Sequence, residues 1–254
     1  IYLLLIILII FGIFQYGIGK IYGFTMVPDE FGYWTSAAKK VGFDWSDVAS
    51  LGSYYSFGYS FILTPILRLF RNGVMAYRAA VVVNMLLMCA GMFLIFGIIK
   101  RLFPEIDRKK QVFVGSIAVF YPVWIFNMQM TMAEALLMFL FVLITWLFVC
   151  LIQEPKAITA IFLAGALVYI YWVHMRTAGV LIACIITLIL WIISDRPKVK
   201  PVLVFIGALL LLVVLTVVFK QNTVVTVFSN TDSQLLAGND YGGQMGKLKQ
   251  LTTF

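Results

Sequence analysis

Two adjacent carboxylates, Asp29 and Glu30, lie in an aromatic stretch a short distance after an apolar run of the sequence. Aromatic rings such as those of Phe31 and Tyr33 favour the interface between a membrane and water. A carboxylate that is partly shielded from water there has a raised pKa and can act as a general base. The structural alternative is a helix cap, because Pro28-Asp29-Glu30 has the composition of a helix start.

Glu134 is a further candidate carboxylate, and it lies just inside one end of another apolar run. Ionisable side chains are unfavourable within the hydrocarbon layer, so they usually have a function and a charged partner. The structural alternative is a position close enough to the surface for the carboxylate to remain hydrated. Asp29, Glu30 and Glu134 could together hold a divalent cation with oxygen ligands.

Candidate phosphate-binding cations occur in two places. His174, the single histidine of the chain, and Arg176 share a short turn between apolar runs. Such a pair offers hydrogen-bond donors suited to a phosphate or diphosphate, although Arg176 could instead extend to lipid headgroups. Arg78 stands near the start of a different apolar run. It could bind phosphate, pair with a carboxylate or anchor its helix.

The elements that must position these residues are membrane helices. The chain is 63% hydrophobic and 12% charged, whereas a soluble domain carries about 25% charged residues. A membrane-spanning helix needs about 20 apolar residues. Segment 59–70 is too short and carries Pro65 and Arg68, so it is expected to be an interfacial or re-entrant helix. The remaining runs predict an all-α, polytopic bundle of about seven transmembrane helices, at 1–19, 74–99, 112–127, 132–152, 157–173, 177–193 and 201–219.

Basic residues are concentrated in alternate loops of this predicted bundle. The positive-inside rule assigns these loops to the cytoplasm. Loop 20–73, the turns at 127–131 and 174–177, and segment 220–254 then lie outside. Residues 1–219 form the transmembrane module, and 220–254 begin an extracytoplasmic segment. The basic residues are Lys100, Arg101, Arg108, Lys109, Lys110, Lys156, Arg196, Lys198 and Lys200.

The composition disfavours a nucleic-acid-binding protein and a protein stabilised by disulfides or zinc. The net charge of +8 is divided among loops and forms no continuous basic face for nucleic acid. Cys89, Cys150 and Cys184 lie in separate apolar runs, so neither a disulfide framework nor a zinc site is indicated. The chain begins within an apolar run and stops without a closing element, so we expect it to be part of a longer protein.

In this order of motifs the chain resembles the GT-C class of membrane glycosyltransferases, and most nearly its protein O-mannosyltransferase and lipid A aminoarabinose transferase group. The resemblance extends over about residues 1–200. It rests on Asp29-Glu30 with Tyr33 after the first span, the Tyr-, Gly- and Pro-containing stretch from Tyr54 and Tyr55 to Pro65, Tyr77-Arg78 at the start of the next span, Arg101-Leu102-Phe103 at its end, and Tyr121-Pro122 followed by Glu134.

The resemblance implies inverting transfer of a sugar from a polyprenyl-phosphate donor to a hydroxyl group of an extracytoplasmic glycan, lipid or protein. Asp29 would be the general base, with Glu30 beside it, and cations would stabilise the departing phosphate. Members of this group often need no metal. The implied location is a bacterial plasma membrane, with the active site on its outer face. The substrate-binding residues would be Tyr33, Tyr55, Arg78, Glu134, His174 and Arg176.

Two alternatives belong to other classes of protein. A transporter or flippase for a lipid-linked or anionic solute usually has broken helices and acidic residues at mid-membrane, often in two related halves. Here the polar residues lie near the ends of the runs, and no half-repeat is visible. A structural or assembly subunit would need no group of acidic residues on one face.

Overall fold

The computed structural model describes residues 2–24, 27–43, 57–195 and 199–227, and all regular structure in these ranges is helical. A 3-10 turn at Met175–Thr177 separates α8 from α9. The helices are α1 (Tyr2–Ile18), α2 (Val27–Val41), α3 (Ser60–Leu69), α4 (Gly73–Leu102), α5 (Arg108–Val119), α6 (Pro122–Asn127), α7 (Glu134–Gln153), α8 (Ala157–Val173), α9 (Ala178–Asp195) and α10 (Val199–Val227).

Three of the described helices are long and apolar enough to cross a membrane: α4, α7 and the part of α10 from Lys200 to Val218. Helices α1, α8 and α9 coincide with other predicted spans and are apolar, but they are shorter. The chain is therefore a helical membrane protein, as its composition indicates.

The predicted span at 112–127 is wrong as a single helix. Helix α5 ends at Val119, and α6 begins at Pro122. Tyr121 between them has φ −58° and ψ 124°, which is not helical. Proline lacks an N–H donor and disfavours the helical conformation in the residue before it, so Pro122 divides the segment.

The loop between α1 and α4 contains two helices with clear local causes. Helix α2 begins at Val27-Pro28, where proline fits the first turn, so the predicted helix start is confirmed. It ends before Gly42, whose φ of +95° favours glycine. Helix α3 confirms that segment 59–70 is helical. Its 10 residues span about 15 Å, half of the roughly 30 Å hydrocarbon core.

The bundle has two chemically different ends. At one end, which we call the basic end, Arg101 at the end of α4 donates to Gln153, the last residue of α7, and to Glu154 just after it. Lys156 before α8 also donates to Glu154, at 2.7 Å. The opposite end, which we call the site end, is formed by the starts of α2, α3, α4 and α7 and by the end of α8.

A close backbone contact joins α3 to α8 at the site end. The N–H of Gly58 donates to the carbonyl of Trp172 over 2.8 Å. A Cβ atom on Gly58 would lie only 2.5 Å from the backbone nitrogen of Val173, so this approach requires glycine. The indole N–H of Trp172 also donates to Thr216 of α10 at 2.9 Å. Helices α3, α8 and α10 are thereby connected at this end.

Candidate functional site

Glu30 is the centre of a buried polar network at the site end. Its side chain is 0% exposed. Its Oε2 atom accepts hydrogen bonds from the Tyr77 hydroxyl at 2.5 Å, from the Thr131 N–H at 2.9 Å and from the Thr131 hydroxyl. Helix α2, helix α4 and the connection between α6 and α7 therefore meet at one carboxylate oxygen. Hydrogen bonds to a charged group are about twice as strong as neutral ones, so this oxygen fixes the first turn of α2.

Trp34 extends the network by one helical turn. It follows Glu30 by four residues, a spacing that places two side chains on the same helix face. Its indole N–H donates to the Thr131 hydroxyl at 2.9 Å, while that hydroxyl donates its own proton to Glu30. The rings of Trp34 and Tyr77 stack with centroids 6.4 Å apart and an interplanar angle of 14°.

A second buried chain of hydrogen bonds lies beside the first. The Tyr59 hydroxyl donates to Asn84 Oδ1 at 3.1 Å, and Asn84 Nδ2 donates to the carbonyl of Met130 at 2.5 Å. Burial raises the pKa of Tyr59, and the nearby charges of Glu30 and Glu134 act in the same direction. The tyrosine is therefore a neutral hydrogen-bond donor at physiological pH.

Two of the predicted binding residues belong to this region. The ring of Tyr33 is buried and packs edge-on against that of Tyr59, with centroids 5.6 Å apart. Glu134 is the first residue of α7, where the helix dipole favours a negative charge. Its charge, like that of Glu30, raises the pKa of Tyr59, and its place at the start of α7 puts it at the site end.

Lys40 is a cation of the site end that sequence reasoning did not select. Its Nζ donates to Ser60 Oγ at 2.7 Å and lies 4.5 Å from the centroid of the Phe61 ring. The Phe61 ring is 6.1 Å from that of Trp172. Burial lowers the pKa of Lys40. The sequence does contain a signal for this residue. Lys39 and Lys40 form a pair of lysines in a loop that is predicted to lie outside, where the positive-inside rule expects few basic residues.

His174 and Arg176 follow the end of α8. The Nδ1 atom of His174 accepts a hydrogen bond from the backbone N–H of Arg176 at 3.2 Å. Burial, with a smaller effect of the Arg176 charge, lowers the pKa of His174. The imidazole is therefore neutral at pH 7, with its proton on Nε2. The Arg176 side chain is exposed.

Arg78 makes the contacts of a helix anchor. Its guanidinium donates to the carbonyls of Ile21 at 3.0 Å and Gly19 at 3.3 Å, just after the end of α1. It also lies 5.5 Å from the ring centroid of Tyr22. These bonds attach the start of α4 to the chain segment that follows α1. The predicted role of Arg78 in phosphate binding stays a prediction.

Two predicted site residues have side chains outside the described part of the chain. Asp29 belongs to the first turn of α2, next to Glu30, but only its backbone is described. Tyr55 lies entirely outside the described residues. Among the residues that the structure describes, no three His, Cys, Asp or Glu side chains are grouped as metal ligands. A cation held with the help of Asp29 stays a prediction.

The site end thus combines a buried carboxylate network with a partly buried lysine, a neutral histidine and several aromatic rings. No protein-family model, curated protein or solved structure matches this chain. Its function is accordingly inferred from the chemistry of these residues. Sequence reasoning named Tyr77 only as part of a motif and gave no role to Tyr59, Asn84 or Thr131, because a single hydroxyl or amide side chain gives no spacing signal.

Proposed function

We propose that this chain is an inverting membrane glycosyltransferase that moves a sugar from a polyprenyl-phosphate carrier to an extracytoplasmic hydroxyl group. The observation that carries the proposal is the buried Glu30 carboxylate, which receives three hydrogen bonds at one oxygen. Burial of a charge is costly unless it is paired and hydrogen-bonded. The three hydrogen bonds to Glu30 hold the first turn of α2 in place. They thereby fix the position of the adjacent Asp29, which a general base requires.

In this proposal Asp29 is the general base and Glu30 is a positioning residue. Glu30 is 0% exposed and therefore acts on the backbone of α2 and not on a substrate. Asp29 withdraws the proton of the acceptor hydroxyl as that oxygen attacks the anomeric carbon. The bond from this carbon to the phosphate oxygen breaks on the opposite face, and its electron pair leaves with the phosphate. Inversion of the anomeric configuration follows.

The proposal assigns the phosphate to two cations and one neutral hydrogen-bond donor near the end of α8. Lys40 contributes a positive charge, and the Nε2–H of neutral His174 can donate a hydrogen bond to a phosphate oxygen. Arg176 offers an exposed guanidinium close to the membrane surface. Such donors stabilise the charge that develops on the departing phosphate. Arg78 is less suited to this role, since the carbonyls of Gly19 and Ile21 already accept from it.

The direct test is sugar transfer in membranes from cells that express the protein. The probes are polyprenyl phosphates that carry a ¹⁴C-labelled hexose or pentose, and the measurement is movement of the label from the carrier to an acceptor. Asp29→Asn is expected to lower the rate by about 10²- to 10⁴-fold, the usual contribution of a general base. Asp107→Asn is the matched control, because Asp107 precedes α5 and its side chain makes no capping hydrogen bond.

Two outcomes would contradict the proposal. Full transfer by Asp29→Asn would remove the assigned base. Movement of the intact labelled carrier across the bilayer, without release of the sugar, would instead support the transporter or flippase alternative.

A further inference from the structure

A cleft of about 610 Å³ lies between α7 and α8, and its lining does not include Glu30, Tyr77 or Thr131. Apolar side chains from both helices line it, among them Leu140, Trp146, Leu147 and Phe162. Phe162 is also exposed on the outer surface of the bundle. Because this surface belongs to helices of a membrane protein, the cleft opens toward hydrocarbon.

The cleft begins at the basic end and extends over about two-thirds of the hydrocarbon thickness of a membrane. Glu154 and Lys156 line its beginning, and Leu140 and Tyr169 line its far part. At 1.5 Å per residue, these limits are about 20 Å apart along either helix. This length is about two-thirds of the roughly 30 Å hydrocarbon core.

The width of the cleft fits a hydrocarbon chain better than a protein helix. Over this length, 610 Å³ corresponds to a mean cross-section of roughly 30 Å². A helix with its side chains is about 10 Å across and needs more than twice that area. A single extended acyl chain is therefore a suitable occupant, and a helix from a second copy is not.

The mouth of the cleft carries an excess of positive charge. Arg101 and Lys156 both lie against Glu154, at 3.3 and 2.7 Å, so one carboxylate faces two cations. The side chain of Lys156 is 63% exposed and can reach a phosphate without leaving its position. Positive side chains at this depth attract anionic headgroups.

We propose that this cleft binds one acyl chain of an anionic phospholipid whose phosphate lies against Lys156 and Arg101. The proposal does not depend on glycosyl transfer, because the cleft begins at the basic end and not at the site end. Bound lipid would fill the space between α7 and α8 and hold these helices together.

Gly165 provides a specific way to block the cleft. It lines the cleft, and a Cβ atom added there would meet nothing within 4 Å. Gly165→Leu is therefore expected to occupy the lipid's space without disturbing protein contacts. Gly207→Leu in α10 is the matched control, since a Cβ atom at Gly207 also meets nothing within 4 Å and Gly207 is not among the lining residues of the cleft.

The experiment measures quenching of Trp146 fluorescence in phosphatidylcholine vesicles. The probes are phosphatidylglycerol or phosphatidylcholine with a brominated acyl chain, added at equal fractions, and the Trp146→Phe variant identifies the signal of Trp146. Brominated phosphatidylglycerol is expected to quench more strongly. Lys156→Gln should reduce this preference about fivefold, and Glu154→Gln should increase it by a similar factor. Gly165→Leu should remove the quenching, and Gly207→Leu should retain it.

Several results would overturn the proposal. Equal quenching by the two lipids, or a preference that neither charge variant changes, would show that no anionic headgroup is recognised. Unchanged quenching in Gly165→Leu would place the lipid elsewhere. Quenching that falls as protein concentration rises would indicate a second copy of the chain, and stronger displacement by polyprenyl phosphate than by phosphatidylglycerol would indicate a prenyl occupant.

Discussion

At the scale of single residues, the most constrained atom of the site end is Oε2 of Glu30. Hydrogen bonds to a charged group contribute about 1.5 to 3 kcal/mol each, and the Tyr77 hydroxyl supplies one of them within a fully buried environment. The contribution of this donor can therefore be measured by removing the Tyr77 hydroxyl while its ring remains.

Tyr77→Phe is expected to lower the free energy of unfolding by about 1.5 to 3 kcal/mol, because one donor to a buried carboxylate is lost. Thermal unfolding in detergent, followed by circular dichroism, measures the change. Tyr121→Phe is the matched control, since Tyr121 is 56% exposed. Equal stability of the two variants would show that the bond from Tyr77 to Glu30 contributes nothing.

His174 should make the stability of the protein depend on pH. Burial and the Arg176 charge lower its pKa in the folded state, whereas the unfolded chain retains a value of about 6.5. Below about pH 6.5 the unfolded state therefore binds more protons, so the free energy of unfolding rises with pH in this window. His174→Asn should show a smaller rise between pH 5 and 7.5 in thermal unfolding. An identical pH dependence in the variant would contradict the lowered pKa.

At the scale of elements, the attachment of α3 to α8 depends on the absence of a side chain at Gly58. The atoms that a new Cβ would meet are backbone atoms of Trp172 and Val173, at 2.5 to 2.8 Å. Backbone atoms at a helix end cannot move aside as a flexible side chain can. The contact also carries the hydrogen bond from Gly58 to Trp172, so separation of the two elements loses both packing and a bond.

Gly58→Ala is expected to destabilise the protein by about 1 to 3 kcal/mol, the usual effect of overpacking. In contrast, Gly12→Ala in α1 should be neutral or stabilising, because its Cβ would meet nothing within 4 Å and alanine is the better helix former. Unfolding midpoints of the two variants in the same detergent provide the measurement. A Gly58→Ala variant as stable as Gly12→Ala would mean that α3 and α8 are not in direct backbone contact.

The elements also show which parts of the fold were predictable. Long apolar runs identified α4, α7 and α10, because a membrane helix is specified by length and hydrophobicity alone. The helix start at Pro28 followed from local chemistry. The division of 112–127 was missed because Pro122 lies within an apolar run, and hydropathy does not register a missing N–H donor. The partners of Glu30 were missed because Tyr77 and Thr131 are distant in sequence and only tertiary packing joins them.

At the scale of the whole molecule, the two ends of the bundle differ in charge and in burial. Arg101, Glu154 and Lys156 are hydrated at the basic end, whereas Glu30 is enclosed at the site end. Helix α8 connects these regions, with Lys156 before its first residue and His174 after its last. If α8 crosses the membrane, these two flanks must face different compartments.

Cysteine labelling tests this arrangement. Arg176→Cys should react with a membrane-impermeant maleimide added to intact cells, whereas Lys156→Cys should react only after the membrane is opened. The background replaces Cys89, Cys150 and Cys184, which lie within helices α4, α7 and α9. Labelling of both positions from the same side would show that α8 does not cross.

The convergence of three donors on one oxygen of Glu30 also has an evolutionary consequence. Substitution of Glu30 would leave Tyr77 and Thr131 without their acceptor, and substitution of Tyr77 or Thr131 would leave the buried carboxylate with fewer donors. Positions 30, 77 and 131 should therefore change together. In this chain the tyrosine lies 47 residues and the threonine 101 residues after the glutamate. Loops of different length would change these separations between relatives, but helix packing would keep the three side chains together. Distant relatives of this protein should therefore be recognisable by that trio where overall sequence similarity has faded.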